Sequence, residues 1–154
     1  MDDSLYFSKQ HLDVRDMVRE FALSDVKPVA AKHDADATFP WENIRKMGEL
    51  GLLGIPWEEE LGGAGMDLLC YMIVILELAK VDASHGLTVS AHTTLGTSPI
   101  VRFGTEAQKR AYVPLLASGK IKPVIHQTFT LEDASAAHRL MEADLHTGKL
   151  VLTI

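Results

Sequence analysis

Apolar residues in this chain recur at helical spacing as far as Gly119, and the pattern changes beyond it. In residues 8–25, Val14, Met17, Val18 and Phe21 fall at i, i+3, i+4 and i+7, with Ser8 placed to cap the first turn. Pro28 suits the first turn of a second short helix reaching about Asp36, because its missing N–H falls where the helix supplies no acceptor. A third helix starts at Pro40 or Trp41, presents Ile44, Met47 and Leu50, and ends at Gly51. "LGLLGIPWEEELGGAGMD" follows as a loop, its five glycines and Pro56 breaking any period. The fourth helix, about Leu68 to Val81, sets Leu69, Met72, Ile73, Leu76 and Ala79 on one face and is apolar on most others, which predicts a helix surrounded by neighbours. The fifth begins after Asp82 or Ser84 and runs through "HGLTVSAHTTLGTSPIVRF", with a bend where Pro99 removes the bond to the Leu95 carbonyl. Thr105 caps a sixth, Glu106 suits its positive end, and Gly119 stops it.

The last 35 residues obey a different rule. "IKPVIHQ" reads as a strand that Pro123 confines to an edge. "TLED" at 130–133 is a capping-box pattern opening a helix with Ala134, Ala137, His138 and Met141 on one side, and "GKLVLTI" closes as a strand. The fold class is therefore mainly α: an up-and-down bundle of about six helices over residues 1–118 with a short strand-helix-strand tail over 119–154. Two strands alone leave both sheet edges unpaired, so the tail reads as half of a structure.

Composition narrows the function. At 154 residues with 47% hydrophobic content, the chain holds one core and an appendage, not two catalytic domains. The net charge of -6 belongs to the first 118 residues, which carry 11 Lys+Arg against 17 Asp+Glu, while the tail carries 4 of each. That balance, with no basic run, argues against nucleic acid or an anionic membrane as partner. Cys70 sits in the apolar run "LLCYMIVILELAK" as a buried small hydrophobe, and a lone cysteine fits a reducing compartment. The same run is too short, and too interrupted by Glu77, for a membrane span. "MDDSLYF" lacks a secretory or transit pattern, so the expected location is cytoplasmic.

Specific residues carry a resemblance. "VREFALSDVKPVAAKHD", "LGLLGIPWEEELGGAGMD" and "FGTEAQKRAYVPLLASG" resemble the N-terminal helical domain of acyl-CoA dehydrogenases, over nearly all of residues 5–120. The last is the most specific, since Gly-Thr-Glu at a helix start, then Gln-Lys, Tyr and Pro in that order, is hard to obtain from bundle physics alone. "GKIKPVIHQTFTLEDASAAHRLMEADLHTGKLVLTI" resembles instead the C-terminal end of quinone-oxidoreductase-like members of the medium-chain dehydrogenase/reductase family, which implies a fusion joined near "ASGK".

The resemblance implies a parent reaction in which a glutamate removes the α-proton of an acyl-CoA while the β-hydride passes to FAD. It also implies that the base and most flavin contacts lie in domains beyond this sequence, so no catalytic or cofactor-binding residue is expected here and the chain alone is not expected to hold FAD. Carried over by position, the acyl-groove wall falls on Leu87, Thr88, Ala91, His92 and Leu95 of the fifth helix. Their spacing of i, i+1, i+4, i+5 and i+8 puts them on one face, and with the opposite wall absent ordinary interhelical packing is the favoured reading for the chain alone. Glu77 is the one buried acid to weigh as a base, against the plainer role of pairing with a cation.

Neither HExxH nor paired cysteines occur, and His85 and His92 find no third ligand at i+4, so no metal site is expected. "LGGAGMD" is not G-x-G-x-x-G between a strand and a helix, and gives no dinucleotide site. Three functional readings stay open: a noncatalytic module that binds acyl-CoA or self-associates, a subunit that completes an active site with a separate flavin-binding chain, and a fusion remnant without selected function.

Overall fold

A computed structural model describes residues 6–121 and 124–153. The chain forms two compact units, residues 1–120 and 121–154. The first is a helical bundle: α1 (Lys9–Phe21), α2 (Lys27–Ala35), α3 (Trp41–Glu49), α4 (Leu68–Ala79), α5 (Ala83–Ala91), α6 (Ser98–Phe103) and α7 (Glu106–Ala117). Its caps follow from local chemistry. The Ser8 side chain accepts the His11 N–H while the His11 ring accepts the Ser8 N–H, and Thr105 and Gln108 repeat the exchange at α7. Gly119, at φ +67°, ends α7 in a conformation other residues rarely adopt.

Pro28 and Pro99 each sit in the first turn of a helix that follows a π-helical turn, whereas Pro114 lies inside α7. Ala22–Val26 precedes Pro28, and His92–Thr97 precedes Pro99. The predicted fifth helix is thus α5 and α6 joined by a widened turn, which absorbs the hydrogen bond that Pro99 cannot make.

The core runs through Val14, Val18 and Phe21 of α1, Met47 of α3, Cys70, Ile73, Val74 and Leu78 of α4, and Val89 of α5. Leu52, Leu53 and Ile55 are also buried in it, so the glycine-rich connection reads as loop by pattern but works as core. α4 packs against α1 and α5. Gly86 lets α5 approach closely, since a Cβ there would meet the Ile75 carbonyl oxygen at 3.0 Å. The expectation that α4 is surrounded needs correction: Met72 and Leu76 are 51% and 55% exposed, because α1 and α5 cover only two of its sides.

The second unit is a parallel βαβ: β1 (Ile125–Thr130), α8 (Ala134–Glu142) and β2 (Lys149–Thr153), with the two strands paired directly. The first strand lies further along the chain than "IKPVIHQ" suggests, and Pro123 and Lys122 fall outside the described residues. The capping box at Thr130 does not form. Thr130 still belongs to β1, Asp133 takes the cap position, and no side chain bonds the first turn of α8. Ala137 is the buried residue of α8, whereas His138 and Met141 are exposed.

Candidate functional site

Of the five groove residues named from sequence, Leu87 and Leu95 are 68% and 77% exposed, while Thr88, Ala91 and His92 are half-buried. Leu87, Thr88 and Ala91 share the continuous turns of α5. Leu95 lies beyond the onset of the π-helical turn at His92, so it leaves the straight continuation of that stripe. Thr88 donates to the Ser84 carbonyl at 2.8 Å and lines a cleft of about 350 Å³ shared with His33, Thr38 and Pro40.

His92 turns the other way. Its Nε2 lies 3.0 Å from the Leu116 carbonyl oxygen near the end of α7 and donates to it. Burial pushes this imidazole below its ordinary value, and the carbonyl only partly offsets that. The apolar pattern gave little sign of a shallow cleft of about 330 Å³ between α6 and α7, lined by Pro99, Ile100, Phe103 and Tyr112. Its one sequence signal is the i, i+3 spacing of Ile100 and Phe103.

Glu77 is a structural anion. Its side chain is 3% exposed, and it accepts from Arg19 Nε at 3.0 Å, Arg19 Nη2 at 3.2 Å and Lys80 Nζ at 2.6 Å. Burial pushes the carboxyl up, but hydrogen bonds and charge from Arg19 and Lys80 outweigh it and hold the group below the usual carboxylate range. An acid kept ionised by two cations ties α1 to α4 and is a poor proton acceptor.

His85 is fully buried. It shares hydrogen bonds with Asp82 at 2.5 Å and with Asn43 at 3.2 Å, and the Asn43 amide also donates to the Asp25 carbonyl. It serves packing between α3 and α5 rather than a ligand set with His92.

The fold also assembles a cluster that spacing could not reveal: His11, Asp67 and Cys70, whose donor atoms lie within 4.8 Å of one another. Its donors are already committed. His11 Nδ1 accepts the Ser8 N–H, so the ring proton sits on Nε2 and is given to Asp67 Oδ2 at 2.8 Å. Asp67 caps α4 by accepting the Cys70 N–H, and that bond, with His11, holds its carboxyl low. Burial and the adjacent Asp67 push the Cys70 thiol up to about 11, away from the thiolate a metal needs.

The "LGGAGMD" loop is equally occupied. The amides of Gly62, Gly63, Ala64, Gly65 and Met66 donate to carbonyls of Glu59, Glu58, Gly54, Trp57 and Ile55. A Cβ on Gly63 would fall 2.1 Å from the Trp57 carbonyl oxygen, so this glycine permits chain-on-chain packing. With its amides spent internally, the loop does not fit a flavin pyrophosphate. Among the described residues no helix is long and apolar enough to cross a membrane.

Residues 8–120 match the family described as acyl-CoA dehydrogenase, N-terminal domain. Over 107 residues the chain is 51% identical to the short-chain specific acyl-CoA dehydrogenase of Clostridium acetobutylicum, covering 70% of this chain and 28% of that protein. An acyl-CoA dehydrogenase of Bacillus subtilis is 42% identical over 115 residues, covering 75% of this chain and 30% of the relative. Among solved structures, butyryl-CoA dehydrogenase from Megasphaera elsdenii superposes with a TM-score of 0.70 at 30% identity, over 83% of this chain and 34% of the other. A glutaryl-CoA dehydrogenase from Mycobacterium smegmatis in complex with FADH2 gives 0.73 at 29% identity, over 86% and 33%. The chain spans less than a third of the length of these curated relatives. Its helical unit, with the caps, the glycine-packed loop and the α4–α5 contact described above, belongs to the acyl-CoA dehydrogenase family and represents that family's N-terminal domain.

Proposed function

We propose that this chain is a noncatalytic acyl-CoA-groove and association module, one flank of a dehydrogenase cleft whose base and flavin cradle lie elsewhere. The observation that carries this reading is the exposure of Leu87 and Leu95, at 68% and 77%, on a helical run whose inner residues Val89, Thr93 and Thr97 are buried. Large apolar side chains at that exposure suit the acyl tail of a thioester. Ala91 leaves room between them, and His92 is held by α7 rather than offered as a base.

Titrating the isotopically labelled chain with butyryl-CoA tests this by amide NMR. Shifts concentrated at Leu87, Thr88, Ala91, His92 and Leu95, and lost in Leu95→Glu, support it. No shifts at millimolar ligand, or shifts spread over the whole surface, overturn it.

A second reading has its own support in the bare side of α4 and the chain's span of under a third of its relatives. Here a separate polypeptide with the flavin and base domains covers that side and completes the site in trans. Mixing the chain with a Clostridium acetobutylicum relative shortened by its own N-terminal domain should then restore acyl-CoA-dependent bleaching of bound FAD. An unchanged flavin spectrum removes this reading. The tail lies outside the matched residues, and we read its parallel βαβ as a fused medium-chain reductase C-terminus. A cytoplasmic setting accords with the single buried thiol.

A further inference from the structure

We propose that the free edge of β2 pairs with the same edge of a second copy of this chain, antiparallel about a two-fold axis at Val151. Two βαβ tails then form one four-stranded sheet in the order β1-β2-β2-β1.

Among the described residues each strand has a single neighbour, so one edge of each offers backbone donors and acceptors with no strand to meet them. A strand is the chemical partner that satisfies such an edge, and a two-stranded parallel sheet is too small to be stable by itself. The two edges are not equivalent. β1 carries a register irregularity between Ile125 and Gln127 and a polar run His126, Gln127 and Thr128, and both features blunt an edge. β2 is regular over five residues, with Leu150, Val151 and Leu152 between Lys149 and Thr153.

Self-complementarity picks the occupant. Antiparallel pairing about Val151 sets Leu150 opposite the partner's Leu152 and Lys149 opposite the partner's Thr153, so all five residues pair and no two lysines meet. Charge points the same way. Residues 119–154 carry equal numbers of acidic and basic residues, whereas residues 1–118 hold the whole excess of -6, so tail-to-tail approach is the contact that net charge does not oppose.

The test is sedimentation equilibrium of the full chain from about 1 to 100 µM, with cysteine crosslinking to fix the register. A dimer is expected, and Leu152→Lys should weaken it at least about tenfold. Leu152 is already 41% exposed, so the lysine should leave the chain's circular dichroism unchanged. Val151→Cys should form a disulfide dimer, because residues facing across the axis have Cβ atoms about 5 Å apart. Thr153→Cys, about 14 Å from its symmetry mate, should crosslink at least about tenfold more slowly. A chain monomeric throughout, a dimer indifferent to Leu152→Lys, or equal crosslinking at both positions overturns the proposal.

Discussion

Replacing Glu77 with glutamine keeps the shape of the side chain and changes its chemistry. The amide oxygen still accepts one bond from Arg19, but the amide NH2 now meets a second cation with donors facing donors. In the native chain the carboxylate accepts three charge-assisted bonds, at 3.0, 3.2 and 2.6 Å, from side chains that are themselves 46% and 52% exposed. Bonds to charged groups contribute roughly 1.5–3 kcal/mol each when buried, but water replaces much of what half-exposed cations lose, so the net cost is about 2 kcal/mol. In a unit of this size that is a fall in Tm of about 8 °C.

Urea unfolding followed by circular dichroism measures it, and pH separates charge from packing. The folded-state value of Glu77 lies below its ordinary 4.5, so the stability this group supplies is fully present above that value and is lost as pH falls through the folded one. The gap between native and Glu77→Gln chains should stay constant well above 4.5 and narrow as pH falls below it through the folded-state value. A gap under about 0.5 kcal/mol at pH 7, or one unchanged between pH 7 and 3, would refute the ion-pair account.

Three further outcomes follow from geometry already described. Cys70, with its thiol pushed up to about 11, should react with a disulfide reagent at pH 8 at least about 100-fold more slowly in the folded chain than in urea; rapid native labelling would contradict its burial. Gly63→Ala should cost about 3 kcal/mol or prevent folding, whereas Gly96→Ala, with nothing within 4 Å of its added Cβ, should be neutral or mildly stabilising; equal effects in a thermal melt would undo the packing argument. The His92 ring should titrate by NMR below 6.5, so the stability it supplies is present above that value and lost as pH falls through the folded midpoint; a midpoint above 6.5 would contradict burial as the ruling cause.

What the residues disclosed in order, the fold confirmed where the physics is local. Ser8, Thr105 and Gly119 act within a turn of where they stand, and Pro28 marks a helix start as expected, while Pro99, expected to bend one helix, instead stands in the first turn of a separate one. The widened turns before those prolines escaped notice because a pattern of apolar residues carries no sign of one extra residue per turn. The Thr130 capping signature failed for a related reason: its spacing was right, but β1 had a prior claim on the residue. Contacts between distant residues were out of reach. Arg19 meets Glu77 and His11 meets Asp67 across 58 and 56 residues, start against start and end against end, and only the parallel docking of α1 on α4 brings them together.

The helix α4 exposes a deeper limit. Its all-round apolarity was read as all-round burial, an inference valid only if one chain supplies every neighbour. Hydrophobicity records which surface must leave water, and is silent about whose atoms replace the water. Leu69, Met72 and Leu76 stand on the side that α1 and α5 leave bare, and the relatives that share this helical unit run to more than three times its matched length. The stripe therefore reads as a surface shaped for a cover beyond the described residues. That is why the functional proposal rests on exposed leucines rather than on any buried acid: in this chain the informative residues are those whose environment is unfinished.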